Sequence, residues 1–137
     1  VRGIIENGRC TGIVTGNLDR ERTYCAESFI LASGGFFGGG LQAEAGRASE
    51  VVFDLPVAVP TDPAAWSKEK LFFAGSQPFA KFGLQVDGKL RPVDASGKLL
   101  LENVYIAGKS LAGYDYCVEK SGNGVALATA YQAGAEA

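Results

Sequence analysis

Two glycine-bearing segments have the residue pattern best suited to chemistry. One is Ser33-Gly34-Gly35, which closes the apolar run Phe29-Ile30-Leu31-Ala32. The other runs from Gly108-Lys109-Ser110 past Asp115 to Gly122-Asn123-Gly124-Val125, between the apolar run Val104-Tyr105-Ile106-Ala107 and an alanine-rich end. A glycine has no Cβ, so backbone at these places can approach a ligand closely. A helix opening near Gly122 would offer unpaired N–H groups and about half a positive charge. That suits a phosphate, or negative charge developing on a reduced ring. The plainer reading of Gly122-Asn123-Gly124 is a loop-to-helix joint with Asn123 as N-cap.

Side chains for proton transfer are scarce. The chain has no His, so it supplies no Ser-His-Asp triad, Cys-His dyad or HExxH zinc site of its own. Lys81, Arg91, Lys109, Lys120, Glu119 and Asp115 remain as weak candidates for base or anion ligand, and Lys120 beside Ser121-Gly122 is the best placed for an anion. No catalytic residue is assigned. Cys10, Cys25 and Cys117 are few and lack CxxC spacing, so they read as reduced thiols rather than a disulfide frame or metal site.

The 137 residues fit one domain or a piece of a larger one. Nineteen are glycine and 47% are hydrophobic, which describes a glycine-punctuated globular chain and not a disordered one. A net charge of −2 with well-mixed signs argues against nucleic acid or a polybasic membrane patch. No apolar run reaches membrane-spanning length.

The elements that must position the glycine loops follow from pattern. Residues 1–6 and 10–15 read as strands joined by Asn7-Gly8, a pair that tolerates positive φ. A turn at Gly16-Asn17-Leu18-Asp19 leads to a third strand over 22–27. The run 29–32 reads as a strand buried on both faces of a parallel sheet. Beyond a break at Gly38-Gly39-Gly40, residues 42–49 read as a short helix. Pro56, Pro60 and Pro63 forbid long regular structure, and Asp62-Pro63 has the form of an N-cap and first helical position. Strands are expected at 71–73 and 83–86, with a turn at Asp87-Gly88 and Pro92 at an edge or strand end. Residues 103–107 form the last strand, 109–123 a loop, and 125–137 a helix of small residues that can pack closely against a sheet or cofactor.

An antiparallel excursion leading into Ala32-Ser33-Gly34-Gly35-Phe36, with Gly83-Leu84-Gln85-Val86-Asp87-Gly88 and Asn103-Val104-Tyr105-Ile106-Ala107-Gly108 further on, resembles the flavoprotein family of fumarate reductases and related FAD- or FMN-dependent dehydrogenases. Three stretches are similar to the subfamily of anaerobic glycerol-3-phosphate dehydrogenase B subunits. They are Gly34-Gly35-Phe36-Phe37 with Gly40-Leu41-Gln42-Ala43-Glu44, Phe72-Phe73 with Gln77-Pro78 and Leu90-Arg91-Pro92, and Gly113-Tyr114-Asp115 with Gly122-Asn123-Gly124-Val125.

The resemblance implies an α/β chain, α+β within these residues, that is part of a Rossmann-like FAD/NAD(P)-binding fold. The excursion and its returning strand would occupy 1–36, an irregular substrate-side segment 37–82, and the flavin-proximal strand, loop and helix 83–137. No GxGxxG follows a strand and there is no Met, so the expectation is the C-terminal portion of a longer protein, inactive alone. The cofactor implied is a non-covalent flavin, FMN first and FAD as the alternative. Its contacts would be Ser33, Gly34, Gly35, Gly108, Lys109, Ser110, Asp115, Gly122, Asn123, Gly124 and Val125. Lys109 stands where many relatives carry an acidic residue toward the ribityl hydroxyls; it could meet a cofactor phosphate or be a solvated lysine. Ser110 and Asp115 are then the nearest polar groups for ribityl or ring, and Tyr114 and Tyr116 read as packing.

The implied activity is oxidation of sn-glycerol 3-phosphate, with electrons passed to quinone through partner subunits. The implied location is cytoplasmic, peripheral to the inner membrane through those partners, and exposed apolar surface predicts self-association of the chain. A different flavoprotein substrate and a non-catalytic docking role are the other readings.

Overall fold

A computed structural model of the chain describes residues 1–17, 20–44, 46–71 and 75–137. Strands β1 (Arg2–Glu6), β2 (Arg9–Asn17) and β3 (Arg20–Tyr24) form an antiparallel sheet in that order. Asn7 and Gly8 both have positive φ, 50° and 77°, so the two-residue turn closes as their types predict. The register shifts between Ile4 and Ile5, where Thr11 is the extra residue of a bulge in β2. The third strand starts and ends earlier than expected, leaving 25–28 as a crossing. Of the expected turn over 16–19, Gly16 and Asn17 instead continue β2, paired with Glu21 and Arg20, and Leu18-Asp19 lie outside the described residues.

Strand β4 (Phe29–Leu31) pairs in parallel with a later strand, Val104–Ile106, through Phe29↔Val104 and Leu31↔Ile106. The parallel setting is the expected one for this run, with a partner the sequence did not name, but β4 is not closed on both faces. Leu31 is buried, whereas Ile30 on the other face is 47% exposed. Period-two alternation puts only Phe29 and Leu31 toward the core formed with Leu84, Leu101, Val104 and Ile106.

The helix expected over 42–49 is a hairpin, β5 (Leu41–Glu44) against β6 (Arg47–Glu50). Gly46 supplies positive φ at its turn. Tertiary contacts outweigh the helical propensity of the Ala and Glu residues here. The Glu50 carboxylate is fully buried and accepts N–H bonds from Val52 and Phe53, both 2.8 Å, which turns the chain back toward β1. Burial pushes its pKa up against those two bonds. Gly3 N–H then donates to Val52 O, and the Phe53 ring lies where a Cβ on Gly3 would stand.

Short 3-10 turns at Pro63–Ala65 and Pro78–Lys81 punctuate the proline-bearing segment. Asp62 caps the first, accepting from Ala64 N at 2.9 Å, as its position predicts. Phe72 and Phe73 of the expected strand lie outside the described residues. Residues 83–86 pair only through isolated bridges, to Ala58, Leu111 and Pro92.

With the intervening strands numbered, Val104–Ile106 is β7, and all three of its residues are buried. Just before it, Asn103 joins three segments. Its Oδ1 accepts from Cys10 N, and its Nδ2 donates to Cys10 O and Glu27 O, each at 2.8 Å. The expected loop 109–123 contains a one-turn helix, α1 (Tyr116–Glu119), and helix α2 (Gly122–Glu136) begins three residues before the predicted start. Among the described residues no helix is long and apolar enough to cross a membrane.

Candidate functional site

Because β4 and β7 run parallel, the loops that follow them emerge at the same edge. Outside the carboxyl ends of parallel strands is where open α/β sheets place their ligands. Gly34 and Gly108 both have positive φ, 87° and 70°, which lets each loop turn sharply off its strand. Ser110 fastens the two loops together. Its buried hydroxyl donates to Gly34 O at 3.1 Å and lies 3.5 Å from Ser33 Oγ. Gly40 passes so close beneath that a Cβ there would run into Gly34 O and the Ser33 backbone.

A cleft of about 680 Å³ opens beside this joint, within the range of small-molecule sites. Gly34, Gly35, Lys109 and Asp115 line it, drawn from three separate stretches of sequence. Its walls are chiefly aromatic and aliphatic: Phe36, Phe37, Phe79, Tyr116 and Val118. Phe37, 84% exposed, stands edge-on to Phe79 at the rim.

Lys109 is half-buried and is the one basic side chain on the wall among the described residues. Its Nζ donates to Ala80 O at 2.8 Å and lies 4.8 Å and 5.2 Å from the ring centres of Tyr114 and Tyr116. Loss of solvent pulls its pKa down, and the nearby Asp115 and Cys117 oppose that. Burial also raises the phenol pKa values of Tyr114 and Tyr116. The two tyrosines, expected only to pack, form the aromatic seat of the ammonium.

Asp115, 2% exposed, is the N-cap of α1. Its carboxylate accepts from Cys117 N at 2.9 Å, Val118 N at 3.2 Å and the Ser76 hydroxyl, while its own N–H donates to Glu119 Oε1 at 3.0 Å. The Ser76 bond holds its carboxyl below the usual range, against desolvation. Gln77 performs a similar task for the opposite rim. Its Oε1 accepts from Lys68 N at 2.8 Å, and its Nε2 donates to Lys70 O and Leu71 O at 2.8 and 2.9 Å. Ser76 and the positioning role of Gln77 were missed from sequence; the one signal was a polar pair directly before Pro78.

Of the expected contacts, Gly34, Gly35, Lys109 and Asp115 come together on the cleft wall. Ser33 and Ser110 lie behind it, using their hydroxyls on each other and on Gly34 O. Gly108 turns toward α2, where its N–H donates to Thr129 Oγ1 at 2.9 Å. Gly122, Asn123, Gly124 and Val125 form the first turn of α2 and do not line the cleft. Asn123 is inside the helix and not its cap. Ser121 takes the cap position, and its hydroxyl donates to Glu119 Oε2 at 3.3 Å instead of to the helix. Lys120, with φ 55°, ends α1 and forces this early start.

The other candidate polar groups are engaged elsewhere. Arg91 makes a two-pronged contact with Asp87 Oδ2, from Nε at 2.9 Å and one terminal nitrogen at 2.7 Å. Glu119 serves the Asp115 and Ser121 donors. Lys81 and Lys120 are exposed and stand off the cleft wall. The described cysteines are unpaired, and no group of three or more metal-binding side chains occurs among the described residues.

The family model of the FAD binding domain matches residues 4–125. The B subunit of anaerobic glycerol-3-phosphate dehydrogenase from Vibrio cholerae is 38% identical over 133 residues, covering 97% of this chain and 30% of that protein. A probable B subunit of the same enzyme from Halobacterium salinarum is 38% identical over 112 residues, covering 82% and 26%. The counterpart in Yersinia pseudotuberculosis is 35% identical over 130 residues, covering 95% and 30%. The chain thus spans 26–30% of the length of these curated relatives. No solved structure matches it significantly.

Proposed function

The chain belongs to the FAD binding domain family, and from that premise we propose that it forms part of the flavin site of an oxidoreductase subunit. The observation that carries the proposal is the cleft at the carboxyl ends of β4 and β7, where two distant glycine loops meet one cation and aromatic walls. A planar ring with a polar edge is the complement of such a site. Gly34 and Gly35 allow close backbone approach, Lys109 offers charge, and Asp115 fixes α1 beneath Tyr116.

FAD is the flavin of this reading. The family match favours it over FMN, the first expectation from the subfamily resemblance. When bound, FAD supplies the two-electron acceptor; these residues bind it, orient it and exclude water. The first turn of α2, with Gly122, Asn123, Gly124 and Val125, keeps its assignment as a cofactor contact. A helix N-terminus favours anionic groups such as the diphosphate. Gly108 acts as its hinge to β7. The parallel pair β4–β7 is, in the same proposal, two strands of a Rossmann-like sheet.

The relatives are named as B subunits of anaerobic glycerol-3-phosphate dehydrogenase. Those names support glycerol 3-phosphate as substrate and the presence of partner subunits; electron transfer through the partners to quinone at the membrane is a further part of the proposal. The native polypeptide carrying this chain is expected to purify yellow and to rebind FAD after its removal. Gly35→Ala puts a Cβ 2.9 Å from Lys109 Cγ and should weaken FAD binding about tenfold, roughly 1.4 kcal/mol. A colourless protein that takes up no FAD would overturn the reading.

A further inference from the structure

Resting on that flavin reading, we infer that Lys109 makes the cleft prefer a flavin ring that has gained negative charge over the oxidised ring. An ammonium has three N–H donors, and the hydrogen bond found for this one goes to Ala80 O. Among the described residues no carboxylate lies within ion-pair distance of it. Asp115, whose charge acts on it, is already held by Ser76, Cys117 N and Val118 N. The remaining neighbours, Tyr114 and Tyr116, present ring faces that hold a cation without neutralising it. A half-buried cation in this setting favours a ligand that brings charge with it.

Two parts of the cofactor could bring that charge, the ring or the diphosphate. A diphosphate is strongly hydrated and needs several donors at once, whereas the cleft wall offers, besides Lys109 and an Asp115 carboxylate held by its own donors, mainly the apolar faces of Phe36, Phe79, Tyr116 and Val118. A ring with delocalised charge fits such a wall, and a diphosphate does not. Reduction adds that charge. Two electrons from dithionite, which is oxidised to sulfite, and one proton from water leave the ring one negative charge up.

The native polypeptide, stripped of cofactor, is titrated with FAD, and the dissociation constants of the oxidised and dithionite-reduced forms are compared. The unaltered protein should bind the reduced form at least about tenfold more tightly, as expected for opposite charges a few ångströms apart at reduced dielectric. Lys109→Met should remove about tenfold of that ratio, and Lys109→Arg should keep it. Equal loss of affinity for both forms in Lys109→Met would assign Lys109 to the diphosphate and overturn the inference. A ratio at or below one in the unaltered protein overturns it without any variant, so a variant that fails to fold does not shield it. Oxidised FAD that binds with no preference leaves the flavin reading standing; failure to bind either form removes both.

Discussion

Two polar groups, Asn103 buried and Lys109 half-buried, organise this molecule, and they are finished to different degrees. Asn103 joins β2, the 25–28 crossing and β7, and both amide hydrogens and the carbonyl of its side chain are hydrogen-bonded to backbone. Lys109 joins the β7 loop to the segment around Ala80, with, among the described residues, one hydrogen bond and two aromatic faces for its ammonium. A satisfied network fixes one arrangement of the chain, because each group has lost water and found a partner. A group that is desolvated but only partly answered adds little to the fold and is available to a ligand. The first region builds the scaffold, and the second is built to be completed.

The largest effect should therefore fall at the closed junction. Asn103→Leu keeps the volume roughly but leaves Cys10 N, Cys10 O and Glu27 O without their partner. A buried group so stranded costs about 1–3 kcal/mol, and the three are coupled. We expect a loss of about 3–5 kcal/mol in denaturant-melting experiments, enough to unfold much of a marginally stable protein. A loss below about 1 kcal/mol would break the contrast, since it would mean that water can replace the Asn103 bonds.

Asp115 belongs to the cleft side yet is closed in the same manner as Asn103, so it tests where the boundary lies. Its carboxyl is held below the unfolded value, chiefly by the Ser76 hydroxyl. The stability it contributes is complete above the unfolded pKa, about 3.9, and is lost as pH falls through the lower folded value. Asp115→Asn should lower stability at pH 7 by about 1–2 kcal/mol, in the range of a helix cap and one charged hydrogen bond. It should also flatten the decline of the urea midpoint as pH falls below about 4. An unchanged acid slope in the variant would show that Asp115 is no more finished than Lys109. Glu50 works in the opposite sense, since burial raises its pKa and its contribution weakens as pH rises through the raised range.

The parts legible in the sequence were those whose cause is local. Asn7-Gly8 announced a hairpin because both residues accept positive φ, and both have it. The apolar runs at 29–31 and 104–106 announced strands and the glycines after each announced a joint, while their pairing with each other came only from the structure. The misread parts have distant causes. Residues 42–49 carry helix-forming Ala and Glu, but they fold back on each other and are locked by Glu50 beyond them. Asn123 satisfies the local rule for a cap, yet Lys120 turns the chain early and Ser121 takes that place. Asp115 and Ser76 are 39 positions apart, and Lys109 and Ala80 are 29 apart. No spacing rule links residues so far apart. Four cleft residues could be named from sequence, but what holds them there could not.

The smallest expected effect lies one residue from the largest. Arg9 and Glu102 flank Cys10 and Asn103 and form an ion pair at 3.2 Å, with side chains 52% and 55% exposed. Their link joins the same strands as Asn103, but in water, where Coulomb attraction is screened and two long side chains must be ordered. Removing the pair as Arg9→Ala, Glu102→Ala and the double variant should give a coupling energy of about 0.5 kcal/mol or less, fading further in high salt. Asn103→Leu should be insensitive to salt. If the exposed pair instead coupled by more than about 1 kcal/mol, the junction would owe its strength to the surface as much as to the buried amide, and completeness of hydrogen bonding would no longer separate scaffold from site. If the coupling is as small as expected, proximity to the junction counts for little, and what distinguishes Asn103 is that its bonds are dry and fully used.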